Sequence, residues 1–254
     1  GEAILVAKDE DDVDELIDEY FKSPPEPIES KLSSEPALRV HTLATIATGH
    51  ATTEEELFEF FGRTFFAHQS PVDDLRGKVE DVLAFLQRED FLTGRDGTLR
   101  ATFFGRRTSD LYIDPLSAVR MRDALEDDRD ATFYHLWAVC STPDMPKLYL
   151  RRGDYVWVED KITAEAMTFP VEDYEFMMAE VKTATLLEDW IEERSEDEVT
   201  KKFGIGPGDI RRMVDQGVWL MYAMSELGRI FNKKKVRTLT RLTIRVHVQP
   251  TAVI

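Results

Sequence analysis

The residues of this chain best suited to binding chemistry are a guanidinium and an indole, Arg212 and Trp219, in the stretch GIGPGDIRRMVDQGVWLMYAMSEL. On a helix, residues seven apart are nearly in line and lie about 10 Å apart along the axis. Gln216 and Ala223 share their side of the helix, well over a quarter-turn from the apolar stripe. Flat cationic and aromatic groups at this spacing are platforms on which unstacked nucleobases stack, at about 1 to 3 kcal/mol per base.

The same helix supplies further candidates beside this pair. Three residues, Arg211, Tyr222 and Arg229, flank the side of the helix described above. The predicted DNA-binding set therefore has six members: Arg212, Trp219, Arg211, Gln216, Tyr222 and Arg229. The apolar stripe that should face the core consists of Ile210, Met213, Gly217, Leu220, Met224, Leu227 and Phe231. The alternative interpretation is that Trp219 packs on a neighbouring helix and that Arg212 pairs with an acidic residue.

Motifs for catalysis or for a bound cofactor are missing from the sequence. The glycines of GIGPG lack the lysine and hydroxyl residue of a phosphate-binding loop, and they are better explained as the end of one helix before Pro207 starts the next. The acidic clusters at 9–12, 127–128 and 192–193 have no histidine beside them and indicate solvated surface. We therefore predict no catalytic residue, no metal site and no cofactor in this chain, and a core position for its one cysteine, Cys140.

Charge is distributed unevenly along the chain. The net charge is −17, yet residues 201–254 carry 11 Lys and Arg against 3 Asp and Glu. A strongly acidic body excludes a general nucleic-acid-coating protein, and a surface of this kind favours solubility in concentrated salt, which suggests a halophilic source. No long apolar run or signal peptide is present, so we expect a cytoplasmic protein that does not contact a membrane.

A winged-helix domain is predicted after a proline-bearing connector, over residues 23–108. Helical patterns at 35–49, 52–68 and 72–90 precede two strand-like runs around Asp96-Gly97, a pair typical of a tight hairpin. The exposed side of the third helix is a mixture of acidic and basic residues, so we expect this helix to pack or to contact protein rather than to bind bases in a DNA groove. That side consists of Arg76, Lys78, Glu80, Asp81, Gln87, Arg88 and Glu89.

The rest of the chain is predicted to be helical. A helix capped by Asp114 with Pro115 in its first turn begins a helical bundle over residues 109–235, and a connector and tail of uncertain structure follow at 236–254. At the other end, residues 1–22 combine a short β-like run, from Ala3 to Ala7, with an acidic amphipathic helix. A strand needs a partner, so this run is expected to belong to a larger fold.

Several ordered stretches resemble the C-terminal half of an archaeal superfamily 2 DNA repair helicase of the Holliday junction migration type, related to the helicase part of DNA polymerase theta. They include PEPIESKLSSEPALRVHTLATIATG, LYIDPLSAVRMRDAL and VKTATLLEDWIEERSEDEVTKKFGIGPGDIRRMVD. The resemblance implies two RecA-like motor domains that use ATP and Mg, a winged helix, and a helical ratchet domain that closes around single-stranded DNA. Within it, Arg212 and Trp219 match an Arg and a Trp, seven residues apart, that stack on bases.

The sequence thus predicts a mainly α fold, with a winged-helix domain followed by a helical-bundle ratchet domain and preceded by a strand and helix from the second motor domain. The expected function is to engage single-stranded or forked DNA as part of a 3′-to-5′ DNA helicase, with the absent motor domains as partners. Two alternatives remain open. One is an acidic protein-interaction or regulatory module that does not bind nucleic acid, and the other is an RNA-binding helicase fragment, because stacking is largely blind to the 2′-hydroxyl.

Overall fold

The fold is mainly α, as predicted. The computed structural model describes residues 4–127, 129, 131–167 and 174–231, with 238, 239, 241, 242 and 245 near the carboxyl end. Within these residues one two-stranded hairpin is the sole sheet. Most of the predicted tail at 236–254 lies outside the described residues, although Leu239 and Leu242 are buried.

The predicted strand at the start of the chain does not form among the described residues. Residues 4–7 have no regular structure, and Ile4 and Val6 are largely exposed; Ala3 lies outside the described residues. The acidic helix does form, as α1 at Asp11–Leu16 with a π-helical continuation at Ile17–Lys22. A strand is stable only when its backbone is paired, and no neighbouring strand is available to residues 4–7 in the described chain.

Four helices and a hairpin follow in the order expected of a winged helix, because the second predicted helix is divided in two. The helices are α2 (Glu35–Ala47), α3 (Glu54–Phe61), α4 (Phe65–Gln69) and α5 (Arg76–Arg88), and the strands are β1 (Leu92–Arg95) and β2 (Thr98–Ala101). The apolar residues that recur at helical spacing in the third predicted helix are buried: Leu75, Val79, Val82 and Leu86.

The hairpin turn has the geometry that its sequence indicates. Asp96 and Gly97 both have positive φ, 51° and 77°, as the two central residues of a type I′ turn require. The strands are antiparallel and in register, with Arg95 opposite Thr98. The turn of this wing therefore follows from its local sequence.

The helical pattern at 52–68 is interrupted, contrary to prediction. The chain leaves α3 at Gly62 and starts α4 after Thr64, whose backbone is extended. Glycine is a poor helix former, and the Thr64 hydroxyl donates to the carbonyl of Phe61 at 2.7 Å, which satisfies a carbonyl at the end of α3. A 3₁₀ turn at Val72–Leu75 then leads into α5.

Between residues 103 and 231, the described part of the chain contains seven further helices. They are α6 (Phe103–Asp110), α7 (Pro115–Glu126), α8 (Thr132–Cys140), α9 (Tyr155–Ala164), α10 (Tyr174–Ile191), α11 (Glu196–Phe203) and α12 (Pro207–Ile230). The buried helix α10 contacts α8, α9, α11 and α12. Where α10 meets α12, a Cβ on Gly217 would stand 3.0 Å from the side chain of Leu187, so glycine permits close packing there.

Caps set the ends of the helices that position α12. Asp114 caps α7 by accepting the Leu116 N–H at 2.8 Å, with Pro115 in the first turn as predicted. Gly204 ends α11 with φ of 69°, and Pro207 begins α12, as GIGPG indicates. In the described part of the chain, no helix is both long and apolar enough to cross a membrane.

Candidate nucleic-acid interface

The long helix α12 carries the predicted site, and its apolar stripe is confirmed. Ile210, Met213, Gly217, Leu220, Met224 and Leu227 are buried, and Phe231 is partly buried against them. The helix packs on α6, α7, α8, α10 and α11. Only a narrow strip of its surface therefore remains available to a ligand.

Arg212 lies on that strip. Its side chain is exposed, and it makes no hydrogen bond or ion pair with any residue that the structure describes. The neighbouring Arg211 instead pairs with Asp215, one turn along, at 3.1 Å. Arg212 is thus the guanidinium on α12 that can offer both its plane and its charge to a ligand.

Trp219 is held more tightly than the sequence suggests. The indole is partly buried against the core, and its N–H donates to the backbone carbonyl of Leu111 at 3.1 Å. The interpretation that Trp219 packs on a neighbouring element is therefore correct in part. Fixing the polar edge of the indole restricts how the ring can turn, while part of its surface stays accessible.

Gln216 and Ala223, predicted to lie on the outer side of α12, both contact protein. Gln216 donates its side-chain amide to the carbonyl of Asp144 at 2.8 Å, and Ala223 is fully buried. Asp144 lies in the segment that joins α8 to α9. The helical periodicity of α12 gives no information about contacts with that distant segment. The outer side is consequently narrower than the helical wheel predicts.

The carboxyl-terminal half of α12 presents Tyr222 and Arg229 beside α6. Tyr222 is 46% exposed, and Arg229 pairs with Glu226. Glu226 also accepts a 2.5 Å hydrogen bond from Arg107 of α6. This bond is the largest cause of the raised pKa of Arg107, to which Tyr222 contributes as well.

Sequence reasoning missed this contribution of α6. Arg107 and Glu226 are 119 residues apart in the chain, so no local pattern connects them. The adjacent arginines Arg106 and Arg107 were the one feature of the sequence that could have pointed to a basic contribution from α6. Arg106 is exposed. Together, α6 and α12 form an edge on which two carboxylates of α12, Asp215 and Glu226, are already paired with arginines, while a third, Asp209, is exposed one turn before Arg212.

The helix α5, which corresponds to the third predicted helix of the winged helix, has the mixed surface that was predicted. Arg76 pairs with Asp73 at 3.2 Å and lies over the ring of Phe58, and Lys78 donates to the carbonyl of Ser33 at 2.9 Å. Two of its basic residues are therefore engaged within the domain. A packing or protein-contact role for α5 remains a prediction.

Elsewhere the described residues offer little for catalysis. Within them, no group of three or more histidine, cysteine or acidic side chains is arranged to hold a metal ion. Cys140 is buried, as predicted, and burial strongly raises the pKa of its thiol, which leaves it unreactive.

Comparison with known proteins accounts for this combination of domains. Residues 132–248 match the family described as "Archaeal helicase, domain 4", and residues 1–93 match one described as "Helix-turn-helix domain". A protein from Methanocella arvoryzae named ATP-dependent DNA helicase Hel308 is 40% identical over 97% of this chain. Proteins of the same name from Thermococcus kodakarensis and Methanocaldococcus jannaschii are 36% and 35% identical, each over 92% of the chain. The chain belongs to the C-terminal part of the archaeal superfamily 2 helicases.

Only part of each helicase relative is covered. The matched region makes up 35% of the Methanocella protein, 22% of the Thermococcus protein and 19% of the Methanocaldococcus protein. The match to domain 4 includes the whole of α12, and the helix-turn-helix match includes α2 to α5. The residues between the two matches, 94–131, contain α6, Leu111 and the cap of α7, which join the winged helix to the helicase domain.

Proposed function

We propose that this chain is the part of an ATP-dependent 3′-to-5′ DNA helicase that holds single-stranded DNA, in an enzyme that acts in DNA repair or at replication forks. The observation that carries the proposal is the exposed Arg212, unpaired among the described residues, two turns before Trp219 on a helix of the archaeal helicase domain. A buried or paired arginine would have to give up a partner before it bound DNA. Arg212 has no such cost to overcome.

In this proposal the strand runs along the edge formed by α6 and α12. The guanidinium of Arg212 stacks on one base, and the accessible part of the indole of Trp219 stacks on another about 10 Å further along the axis. Arg211 and Arg229, each paired with a carboxylate on its own helix, exchange part of that pairing for phosphate oxygens. Gln216 supports the site from within, because its amide is occupied by the carbonyl of Asp144.

The power for movement along DNA belongs to other parts of the enzyme. We propose RecA-like motor domains as the partners of this chain, with ATP and Mg²⁺ bound between them. When bound there, ATP supplies the free energy of translocation through its hydrolysis. The residues described above contribute the grip on the strand, and alone they are expected to show no ATPase activity.

Binding of a fluorescent oligo-dT to the chain, measured by anisotropy at about 50 and about 200 mM salt, tests the proposal. Binding should weaken as salt rises, because phosphate contacts release counterions. Arg212→Ala should raise Kd at least about fivefold, and Arg212→Lys should restore only part of the loss, because it keeps the charge but not the planar group. Arg63→Ala is the matched control, since Arg63 is an exposed arginine of the winged helix.

The outcomes separate the proposal from its two alternatives. No binding at either salt concentration would favour an acidic protein-interaction or regulatory module, in line with the net charge of −17. Equal affinity for oligo-dT and oligo-U of the same length would show that the site does not distinguish DNA from RNA, and the RNA-binding alternative would stand. Equal losses in Arg212→Ala and Arg63→Ala would show that charge alone matters and would remove Arg212 from the site.

A further inference from the structure

Tyr112 is an exposed aromatic residue that neither the fold nor the proposed pair of stacking residues explains. It lies between α6 and α7, and 83% of its surface is accessible. Its neighbours Leu111 and Ile113 are both buried, so the backbone is anchored on either side of it. The chain at this point is held in place while the phenol ring is directed into solvent.

The backbone of Tyr112 adopts a conformation that tyrosine rarely occupies. Its φ is 57°, in the left-handed region, and its N–H donates to the carbonyl of Ser109 at 3.1 Å. Asp90, Asp96, Ala166 and Glu193 also have positive φ, but Tyr112 is the bulkiest residue of this group, and bulky side chains tolerate the region least. A glycine would adopt the turn without strain, so folding alone gives no reason for a large side chain here.

Tyr112 lies next to Trp219 in space. The carbonyl oxygen of Leu111, which accepts the indole N–H at 3.1 Å, belongs to the peptide group that joins Leu111 to Tyr112. In a trans peptide that oxygen lies roughly 3 Å from the following Cα. The Cα of Tyr112 is therefore within about 6 Å of the indole nitrogen. This distance is shorter than the length of two nucleotides along a stacked strand, at about 3.4 Å each.

We propose that Tyr112 is a third stacking residue, which binds a base of the single strand next to the one on Trp219. The inference rests on the proposed function and extends it, because it takes the binding edge beyond α12 to the connection between the winged helix and the helicase domain. Stacking on an aromatic ring needs an accessible face and a fixed backbone, and Tyr112 has both. It does not depend on the hydroxyl group.

Anisotropy with the 254-residue chain tests this role through the variants Tyr112→Gly and Tyr112→Phe. Tyr112→Gly should raise the Kd for oligo-dT at least about fivefold, while its thermal midpoint should not fall below that of the wild type, because glycine suits the left-handed turn. Tyr112→Phe keeps the ring and should bind as the wild type does. Tyr20→Ala is the matched control, since Tyr20 is an exposed tyrosine on the helical segment at the start of the chain.

An abasic oligonucleotide of the same length gives the sharper comparison, because it has phosphates but nothing to stack. Tyr112→Gly and wild type should bind it equally, and an equal loss on both ligands would overturn the stacking role. A wild-type chain that binds neither ligand would overturn the proposed function together with this inference. Weaker binding by Arg212→Ala but not by Tyr112→Gly would overturn this inference alone.

Discussion

Removing one partner of the buried ion pair between Arg39 and Asp114 should destabilise the protein substantially. Arg39 of α2 donates to both carboxylate oxygens of Asp114, at 2.9 and 2.8 Å, and the two side chains are only 6% and 4% exposed. Asp114 also caps α7 through the N–H of Leu116. The pair therefore connects the winged helix to the start of the helical bundle. The carboxylate of Asp114 both binds Arg39 and caps α7.

The size of the effect follows from these two roles. Leaving one member of a buried ion pair without its partner costs about 3 to 5 kcal/mol, and Arg39 retains Glu35, so the lower end, about 3 kcal/mol, is expected for Asp114→Asn. Asp114→Ala also removes the cap, which adds about 1 kcal/mol. Arg39→Met should cost about 3 kcal/mol, and the double variant Arg39→Met/Asp114→Asn should cost clearly less than the sum of the single changes.

Urea unfolding followed by tryptophan fluorescence and by circular dichroism measures these free energies. The two probes should give the same midpoint for each variant if the junction unfolds with the rest of the protein. Single-variant costs below about 1 kcal/mol would contradict the argument that the pair is both buried and dependent on both partners. Strict additivity in the double variant would show that the two side chains do not stabilise each other.

Three further predictions follow from close packing, burial and surface charge. Gly105→Ala should lower the free energy of unfolding by more than about 3 kcal/mol, because a Cβ there would stand 2.0 Å from the carbonyl oxygen of Phe91. Gly77→Ala, where nothing lies within 4 Å of the added Cβ, should instead raise it by about 0.5 kcal/mol. Urea unfolding of the two variants measures the difference. Burial tends to raise the pKa of Asp154, but hydrogen bonds from Arg151 and Lys182 hold it well below its usual range. The stabilisation lost in Asp154→Asn should therefore be complete above about pH 4 and should shrink as the pH falls below that value, which unfolding at a series of pH values measures. If the acidic surface reflects a halophilic source, the thermal midpoint should rise as KCl approaches molar concentration, and a flat or falling midpoint would contradict this.

Local sequence signals predicted the parts of this structure that local interactions determine. Asp96-Gly97 indicated the hairpin, and Gly204 with Pro207 indicated the boundary between α11 and α12; in each case the backbone angle depends on the residue itself. The apolar period of α12 likewise identified its buried side. Helix interruption at Gly62 was a local feature that the pattern of apolar residues obscured.

The parts that sequence did not predict depend on contacts between distant segments. Trp219 bonds to a carbonyl 108 residues earlier, and Gln216 to one 72 residues earlier. A helical wheel assigns a residue to a side of its own helix, but it does not tell which other segment covers that side. The strand predicted at Ala3–Ala7 is not observed at residues 4–7 for the same reason, because strand formation depends on a partner elsewhere.

These distant contacts link the winged helix to the edge formed by α6 and α12. Arg39 binds Asp114, the N–H of Asp114 donates to the carboxylate of Asp144 at 2.8 Å, and the carbonyl of Asp144 accepts the amide of Gln216 on α12. A chain of hydrogen bonds in a buried setting transmits position, because moving one member leaves a desolvated polar group without its partner. In the proposed enzyme, we therefore expect the winged helix to affect strand binding indirectly: through Asp114 and Asp144 it helps to hold Gln216, and so the position of α12, the helix that carries the exposed guanidinium of Arg212.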